Sequence, residues 1–272
     1  MGYYEILKLK KEPFSTSPDP DFFYESSPHK TALTRLEINI RLRRGLNLIL
    51  GDVGTGKTTL LRTLLQNLGQ DEEFILHMIL DPTYQSEFQF LSSLVKIFGI
   101  NPNFRSTMDY KEEIEKYLFR NGVDLNKTIV LFIDEAQKLT PANIELLRTL
   151  MNYETNDYKL LQLVLMAQME ILPKIKRIRN FIDRVSLKYI INPLDRSETK
   201  SLIEFRLRQA GFNSGRVLFT DDAVDMVYEA SQGYPRRIAL ICHNALEQIV
   251  MHDKDKVDKD IIGKIIEREK DI

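Results

Sequence analysis

Gly51, Gly54, Gly56, Lys57 and Thr58 stand at the spacing G-x-x-x-x-G-K-[ST] within the stretch GDVGTGKTTLL. Each residue type has a reason to be in a grip on a phosphate chain. Gly54 and Gly56 let the backbone bend until its N–H groups point inward at phosphate oxygens. Lys57 is a mobile point charge that reaches the β- and γ-phosphates, and Thr58 offers a hydroxyl to Mg²⁺. A helix that starts here adds the positive end of its dipole. Gly51, Asp52, Val53, Gly54, Thr55, Gly56, Lys57, Thr58 and Thr59 therefore form the candidate binding segment, with ATP and Mg²⁺ as the expected ligands.

Further along, the apolar run TIVLFID ends in Asp134 and Glu135. A carboxylate at the end of a buried strand can hold Mg²⁺ through water, which makes Thr58 and Asp134 the candidate metal residues. Glu135 can then orient and polarise the attacking water. Adjacent acids at a strand end can also cap a helix, and the glycine loop tips the reading toward catalysis. A small-molecule kinase has no need of a water-polarising glutamate directly after its magnesium aspartate. The pair suits hydrolysis, and hydrolysis without an evident second substrate suits a switch or a motor.

These residues need elements to hold them. The run LNLIL precedes the loop as a strand, and a helix follows from Lys57 to about Leu68. Further strands are predicted at FILHMIL, TIVLFID, LQLVLMA and RVSLKYII, with helices between them at 88–99, 107–120, 141–154 and 170–181. Runs of consecutive apolar residues are typical of strands covered on both faces of a parallel sheet. Alternation of strands and helices up to residue 192 predicts an α/β core with a parallel sheet. After Pro193 the pattern turns all-helical. The predicted domains are an N-terminal arm over 1–30, an α/β core over 31–192 and a helical domain over 193–272. The arm reads as extended chain with turns, held to the body by Phe22, Phe23 and Tyr24. A helix over 30–43 buries Leu33, Leu36 and Ile40, with Ile38 a candidate fourth.

Composition narrows the field of partners. The 272 residues are 43% hydrophobic and 28% charged, with a net charge of −1, so no global basic field advertises nucleic acid. The single cysteine, Cys242, excludes an intramolecular disulfide and reads as a buried core thiol in a reducing cytosol. The N-terminal segment lacks a signal-peptide pattern, and no apolar run approaches the roughly 20 residues of a membrane span. The expectation is a cytoplasmic protein that reaches a membrane only through a partner.

Taken together, the arm EPFSTSPDPDFFYESSPHKTAL, the loop GDVGTGKTTLLR, the run LFIDEAQKL, the strand LQLVLMAQMEIL and the helix start GYPRRIALICHNAL resemble AAA+ ATPases, specifically the GspA/ExeA-type ATPases of general secretion. The resemblance covers nearly the whole chain. It implies a RecA-like P-loop core followed by a small all-helical lid, and homo-oligomers. It places Gln168 at the sensor 1 position and Arg236 at the sensor 2 position. Arg184 aligns with the trans-acting arginine finger. Where the family shows paired arginines, however, this chain has Ile182 at the other position, and Arg177 and Arg179 compete for the role. Tyr24 and His29 are candidates for the adenine neighbourhood, with packing the simpler role for His29.

The basic clusters RLRR (41–44) and KIKRIR (174–179) are either solvated or intersubunit faces, or contacts to a phosphate backbone. In KIKRIR, Ile175 and Ile178 share one side. The leading role is an ATPase that supports a secretion- or pilus-type envelope assembly through a membrane-protein partner. The alternative is an ATP-dependent DNA-binding regulator, as in transposition regulators of the TnsC type. A nucleotide-binding scaffold with negligible turnover is a third class.

Overall fold

A computed structural model describes residues 2–101, 106–212 and 216–270, the side chains of 269 and 270 excepted. In chain order the elements are α1 (Tyr3–Ile6), α2 (Ser27–Arg41), β1 (Leu46–Leu50), α3 (Lys57–Leu68), β2 (Phe74–Ile79), α4 (Glu87–Ile97), α5 (Thr107–Phe119), β3 (Thr128–Ile133), α6 (Pro141–Leu150), β4 (Leu161–Ala167), α7 (Ile171–Lys176), β5 (Val185–Ile190), α8 (Arg196–Gln209), α9 (Asp221–Ser231), α10 (Pro235–Met251) and α11 (Lys259–Lys270). They fall into two compact units. One comprises residues 29–52 and 60–191, the other residues 1–28, 53–59 and 192–272. The outermost limits of the predicted arm and helical domain, residues 1 and 272, lie outside the described residues.

The first unit is built on a five-stranded sheet in the order β2-β3-β4-β1-β5, with every neighbouring pair parallel. Every residue of β1, β3 and β4 is buried, as strands covered on both faces require. The edge strands β2 and β5 mix buried with partly exposed positions. The α/β fold class with a parallel sheet is as predicted. Within this unit α2 buries Leu33, Leu36 and Ile40, but Ile38 is 51% exposed and lies off the apolar face. α2 also begins at Ser27, a turn earlier than the apolar spacing suggested. Two predicted helices stop short. α6 ends at Leu150, and the chain then folds back so that Glu154 bridges Lys159. The basic segment is helical only to Lys176, and the chain then turns, with Asn180 at a left-handed φ of 61°.

The second unit has its own core, in which Leu202 and Ile203 of α8, Val227 of α9, Ile238 and Cys242 of α10 and Ile262 of α11 are buried together. Burial also drives the Cys242 thiol far above its ordinary pKa, the behaviour of an inert core group. The N-terminal arm packs here. Phe14 is the most deeply buried of its anchors, at 1% exposure, and meets Phe219 edge-on with ring centroids 6.0 Å apart. The Lys10 N–H donates to the Ala210 carbonyl (2.7 Å) and the Arg206 guanidinium to the Ser15 carbonyl (3.1 Å). Phe22 and Phe23 are buried and Tyr24 packs against Phe205, as predicted, while Phe14 was not singled out. The arm also has regular structure that its composition did not advertise. The Gly2 N–H donates to the Glu5 carboxylate (2.8 Å) and closes the short helix α1, and Pro20–Phe22 forms a 3₁₀ turn capped by Asp19.

The cluster RLRR resolves into three different roles. Arg43 is 9% exposed. Its guanidinium donates to Thr128 Oγ1 (2.9 Å) and to the carbonyls of Asn126 (2.8 Å) and Gly122 (3.4 Å), and it lies 4.5 Å from the Tyr158 ring centroid. Arg41 pairs with Asp71 at the surface, and Arg44 is exposed. Among the described residues no helix is long and apolar enough to cross a membrane. Replacing Arg43 with Ala is expected to cost about 1–3 kcal/mol, because the buried Thr128 hydroxyl and the Asn126 carbonyl lose this donor, while the Gly122 carbonyl keeps the Tyr158 hydroxyl. Urea denaturation should show a lower midpoint for that variant and a nearly unchanged one for Arg41→Ala.

Candidate functional site

A parallel sheet places the carboxyl ends of all its strands on one edge, and this edge carries the predicted chemistry of the first unit. The Gly51 N–H, leaving β1, donates to the Ala167 carbonyl at the end of β4 (3.2 Å). The Asp134 N–H, leaving β3, donates to the Ile79 carbonyl at the end of β2 (2.8 Å). Gln168 directly follows β4. Asp134 is 3% exposed, while Glu135 and Gln168 are partly open.

The turn after β3 is tightly specified. Glu135 takes a left-handed conformation, φ 50° and ψ 35°, and its N–H donates to Asp134 Oδ1 (2.9 Å). Gln137, buried in the following 3₁₀ turn Ala136–Lys138, donates from Nε2 to Glu135 Oε2 (2.7 Å). Its Oε1 accepts the Gln168 N–H (3.1 Å). Lys174 of α7 donates to the main-chain carbonyls of Gln137 and Leu139, the latter at 3.2 Å. The first lysine of KIKRIR is thus engaged inside the unit, and Ile175 is buried on the side shared with Ile178. Sequence reading assigned no role to Gln137, and it placed Lys174 in a cluster read as a solvated or intersubunit face or a phosphate contact, whereas its ammonium is engaged by two carbonyls of its own unit. An amide two residues past the acidic pair was the available signal.

In the second unit, the loop residues 53–59 lie with the C-terminal helices. Gly54 and Gly56 have φ of 83° and 93°, a region costly for any residue with a Cβ. Thr55 and Lys57 are buried at 1% and 6% exposure, Thr58 and Thr59 are partly open, and Val53 is 58% exposed. α3 begins at Lys57, so the loop runs straight into the positive end of that helix's dipole. The Arg236 N–H donates to the Gly54 carbonyl (3.2 Å), and a Cβ built on Gly54 would sit 3.1 Å from the Arg236 Cβ. Arg236 is in the first turn of α10, after Pro235 at its first position. The preceding Gly233 has φ 74° and lies so near Leu194 that a Cβ would fall 1.9 Å from the Leu194 carbonyl oxygen.

Arg184 stands apart from Asp134. It precedes β5, at the amino edge of the sheet, and its guanidinium donates to Asn152 Oδ1 and to the Arg148 carbonyl (3.4 Å). The six residues of β5, at about 3.3 Å each, separate that edge from the carboxyl edge by roughly 20 Å. Arg177 and Arg179 are exposed and line a shallow depression with Glu145 and Arg148. His29 is buried at 3% exposure in the first unit.

A family model described as an AAA domain matches residues 40–175 of the 272. This chain belongs to the AAA domain family. It is 33% identical over 246 residues to general secretion pathway protein A of Aeromonas hydrophila, across 90% of this chain and 44% of that protein. The chain thus spans under half of that relative's length. In fold it is similar to the Aeropyrum pernix ORC2 protein solved with ADPNP and ADP, with a TM-score of 0.64 at 15% identity over 89% of this chain and 67% of that one. It is likewise similar to Drosophila ORC bound to DNA (0.63, 21%, 87% and 58%) and to the Thermotoga maritima RuvB Holliday junction branch migration motor (0.57, 18%, 88% and 68%). At these identities the structural likenesses show the fold alone.

Replacing Gly54 with Val forces a branched side chain into a left-handed conformation and against Arg236. Nucleotide affinity is expected to fall about five- to a hundredfold, from strain of roughly 1–3 kcal/mol. Titration with a fluorescent ATP analogue measures the loss, and the near-native circular dichroism of the variant shows the sheet intact.

Proposed function

We propose that this AAA domain binds ATP with Mg²⁺, hydrolyses it, assembles with copies of itself, and uses its nucleotide state to drive assembly or remodelling of a larger complex. The observation that carries the reading is the hydrogen bond from the Arg236 N–H to the Gly54 carbonyl. It ties the first turn of a seventeen-residue helix to the loop that grips phosphate, so a change in the loop is felt by that helix. A simple phosphotransferase has no need of such a tie. The helical unit acts in this reading as the lid.

The residues present fit the ligands. Two left-handed glycines bring no side chain of their own into the loop, and Thr58 and Asp134 carry the oxygen donors that Mg²⁺ prefers. Thr58 and Asp134 are the residues that would hold Mg²⁺, which would supply neutralisation of charge on the β- and γ-phosphates. Lys57 adds its charge at the same phosphates. Glu135 accepts a proton from the attacking water and aims its lone pair at the γ-phosphorus. Gln168 offers a polar side chain to the γ-phosphate or that water, and Arg236 reports the γ-phosphate to α10. Arg184, at the far edge of its own sheet, suits a role in a neighbouring copy's site, with Arg177 and Arg179 as alternatives.

The likeness to general secretion pathway protein A over 90% of the chain favours a cell-envelope secretion or pilus-type system, reached from the cytoplasm through a membrane-protein partner. A second reading, an ATP-dependent DNA-binding regulator, is favoured by the shared fold with Drosophila ORC bound to DNA. The burial of Arg43 and the internal engagement of Lys174 remove two cations from that surface. Lys57→Ala is expected to abolish ATP binding, whereas Glu135→Gln binds ATP and loses turnover by about a hundredfold or more. With Glu135→Gln protein and ATP, fluorescent duplex DNA should not bind at any salt concentration while sedimentation shows larger oligomers. ATP-dependent DNA binding that weakens steeply with salt would replace the envelope reading with the DNA one.

A further inference from the structure

We infer that Gln137 is a positioning residue for hydrolysis, one that fixes the Glu135 carboxylate and links it to the sensing end of β4. The inference rests on the proposed role of Glu135 as the water-polarising base. Three observations place Gln137 at that junction. Its side chain is 7% exposed, so it is not a solvated surface amide. Nε2 donates to Glu135 Oε2 at 2.7 Å, and Oε1 accepts the Gln168 N–H at 3.1 Å. Its own carbonyl is held by Lys174, so the turn that presents the amide is anchored from α7.

The chemistry leaves little freedom. A carboxylate only accepts hydrogen bonds and a main-chain N–H only donates. The Gln137 amide therefore has one workable orientation, and a flip would set oxygen against oxygen and N–H against N–H. With Oε2 occupied, Glu135 has Oε1 left to accept a proton from water. The left-handed turn at Glu135, with its N–H on Asp134 Oδ1, fixes the backbone from the other side. A base held at both its backbone and its carboxylate loses little orientational freedom on the way to the transition state. The same amide joins Glu135 to the main chain of Gln168. A displacement of Gln168 by the γ-phosphate is thereby passed to the base through one rigid side chain, which couples sensing to water activation. Supporting groups of this kind typically contribute about ten- to a hundredfold in activity.

Two variants separate positioning from packing. Gln137→Met keeps the volume and removes both hydrogen bonds. Gln137→Glu keeps the length and an acceptor for the Gln168 N–H but sets a second carboxylate against Glu135. The full chain is assayed for steady-state ATP hydrolysis and for equilibrium ATP binding, with melting temperature as the fold control and Glu135→Gln as the reference. Both variants are expected to lose about ten- to a hundredfold in kcat, with KM and ATP affinity within about threefold of the parent. Placing Gln137→Met in the Glu135→Gln background is expected to add no further loss, since the two residues act as one unit.

Near-parental kcat for Gln137→Glu would mean that holding the Gln168 N–H is the whole role, and would overturn the inference. So would a loss confined to KM, or additive losses in the double variant. Normal turnover by Glu135→Gln is a different failure. It would remove the base itself, and with it the reading on which Gln137 depends.

Discussion

Parallel pairing along the whole sheet is the constraint on which the rest of this structure depends. Crossover helices return each strand in the same direction, so every strand delivers its last residue to one edge. The register from Phe74↔Thr128 to Leu50↔Ala167 then sets how far along that edge each residue emerges. Asp134, Glu135 and Gln168 come from strands far apart in sequence yet share that edge, and Gly51 leaves β1 beside Ala167. The same direction rule puts Arg184 at the opposite edge. One geometric fact thus separates Asp134, Glu135 and Gln168 from Arg184.

The edge alone does not hold the Glu135 carboxylate in place, and here short-range chemistry takes over. The left-handed Glu135 turn, the Gln137 amide and the Lys174 ammonium form a chain of directed hydrogen bonds from β3 to β4 to α7. In the helical unit, the analogous device is the Arg236 N–H on the Gly54 carbonyl. It works only because Gly54 has no side chain to hold α10 away. Both devices use main-chain groups, which have fixed positions and little entropy to lose.

Much of this was legible in the sequence because the signals were periodic or local. Buried parallel strands appear as runs such as TIVLFI and LQLVLMA, and the glycine spacing marks the loop directly. What escaped was decided by partners distant in sequence. Arg43 looked like one of three surface cations, but carbonyls and a hydroxyl at 122–128 draw it inside. Phe14 sits in a stretch rich in proline, and only the helices around Phe219 show that it is a core residue. The basic helix ends at Lys176 and Asn180 beyond it turns left-handed, backbone choices that hydrophobic spacing cannot report. Ile38 satisfied a helical pattern but fell on the solvent side.

The central claim is that nucleotide at the loop is felt by α10 through the Gly54–Arg236 contact. Hydrogen exchange with mass spectrometry tests it directly, on Glu135→Gln protein with ATP, with ADP and without nucleotide. The account predicts that ATP slows exchange together in peptides covering 51–59 and the first turns of α10, and that Arg236→Ala uncouples the two while the loop stays protected. Protection of the loop with no change in α10 in the parent protein would contradict it.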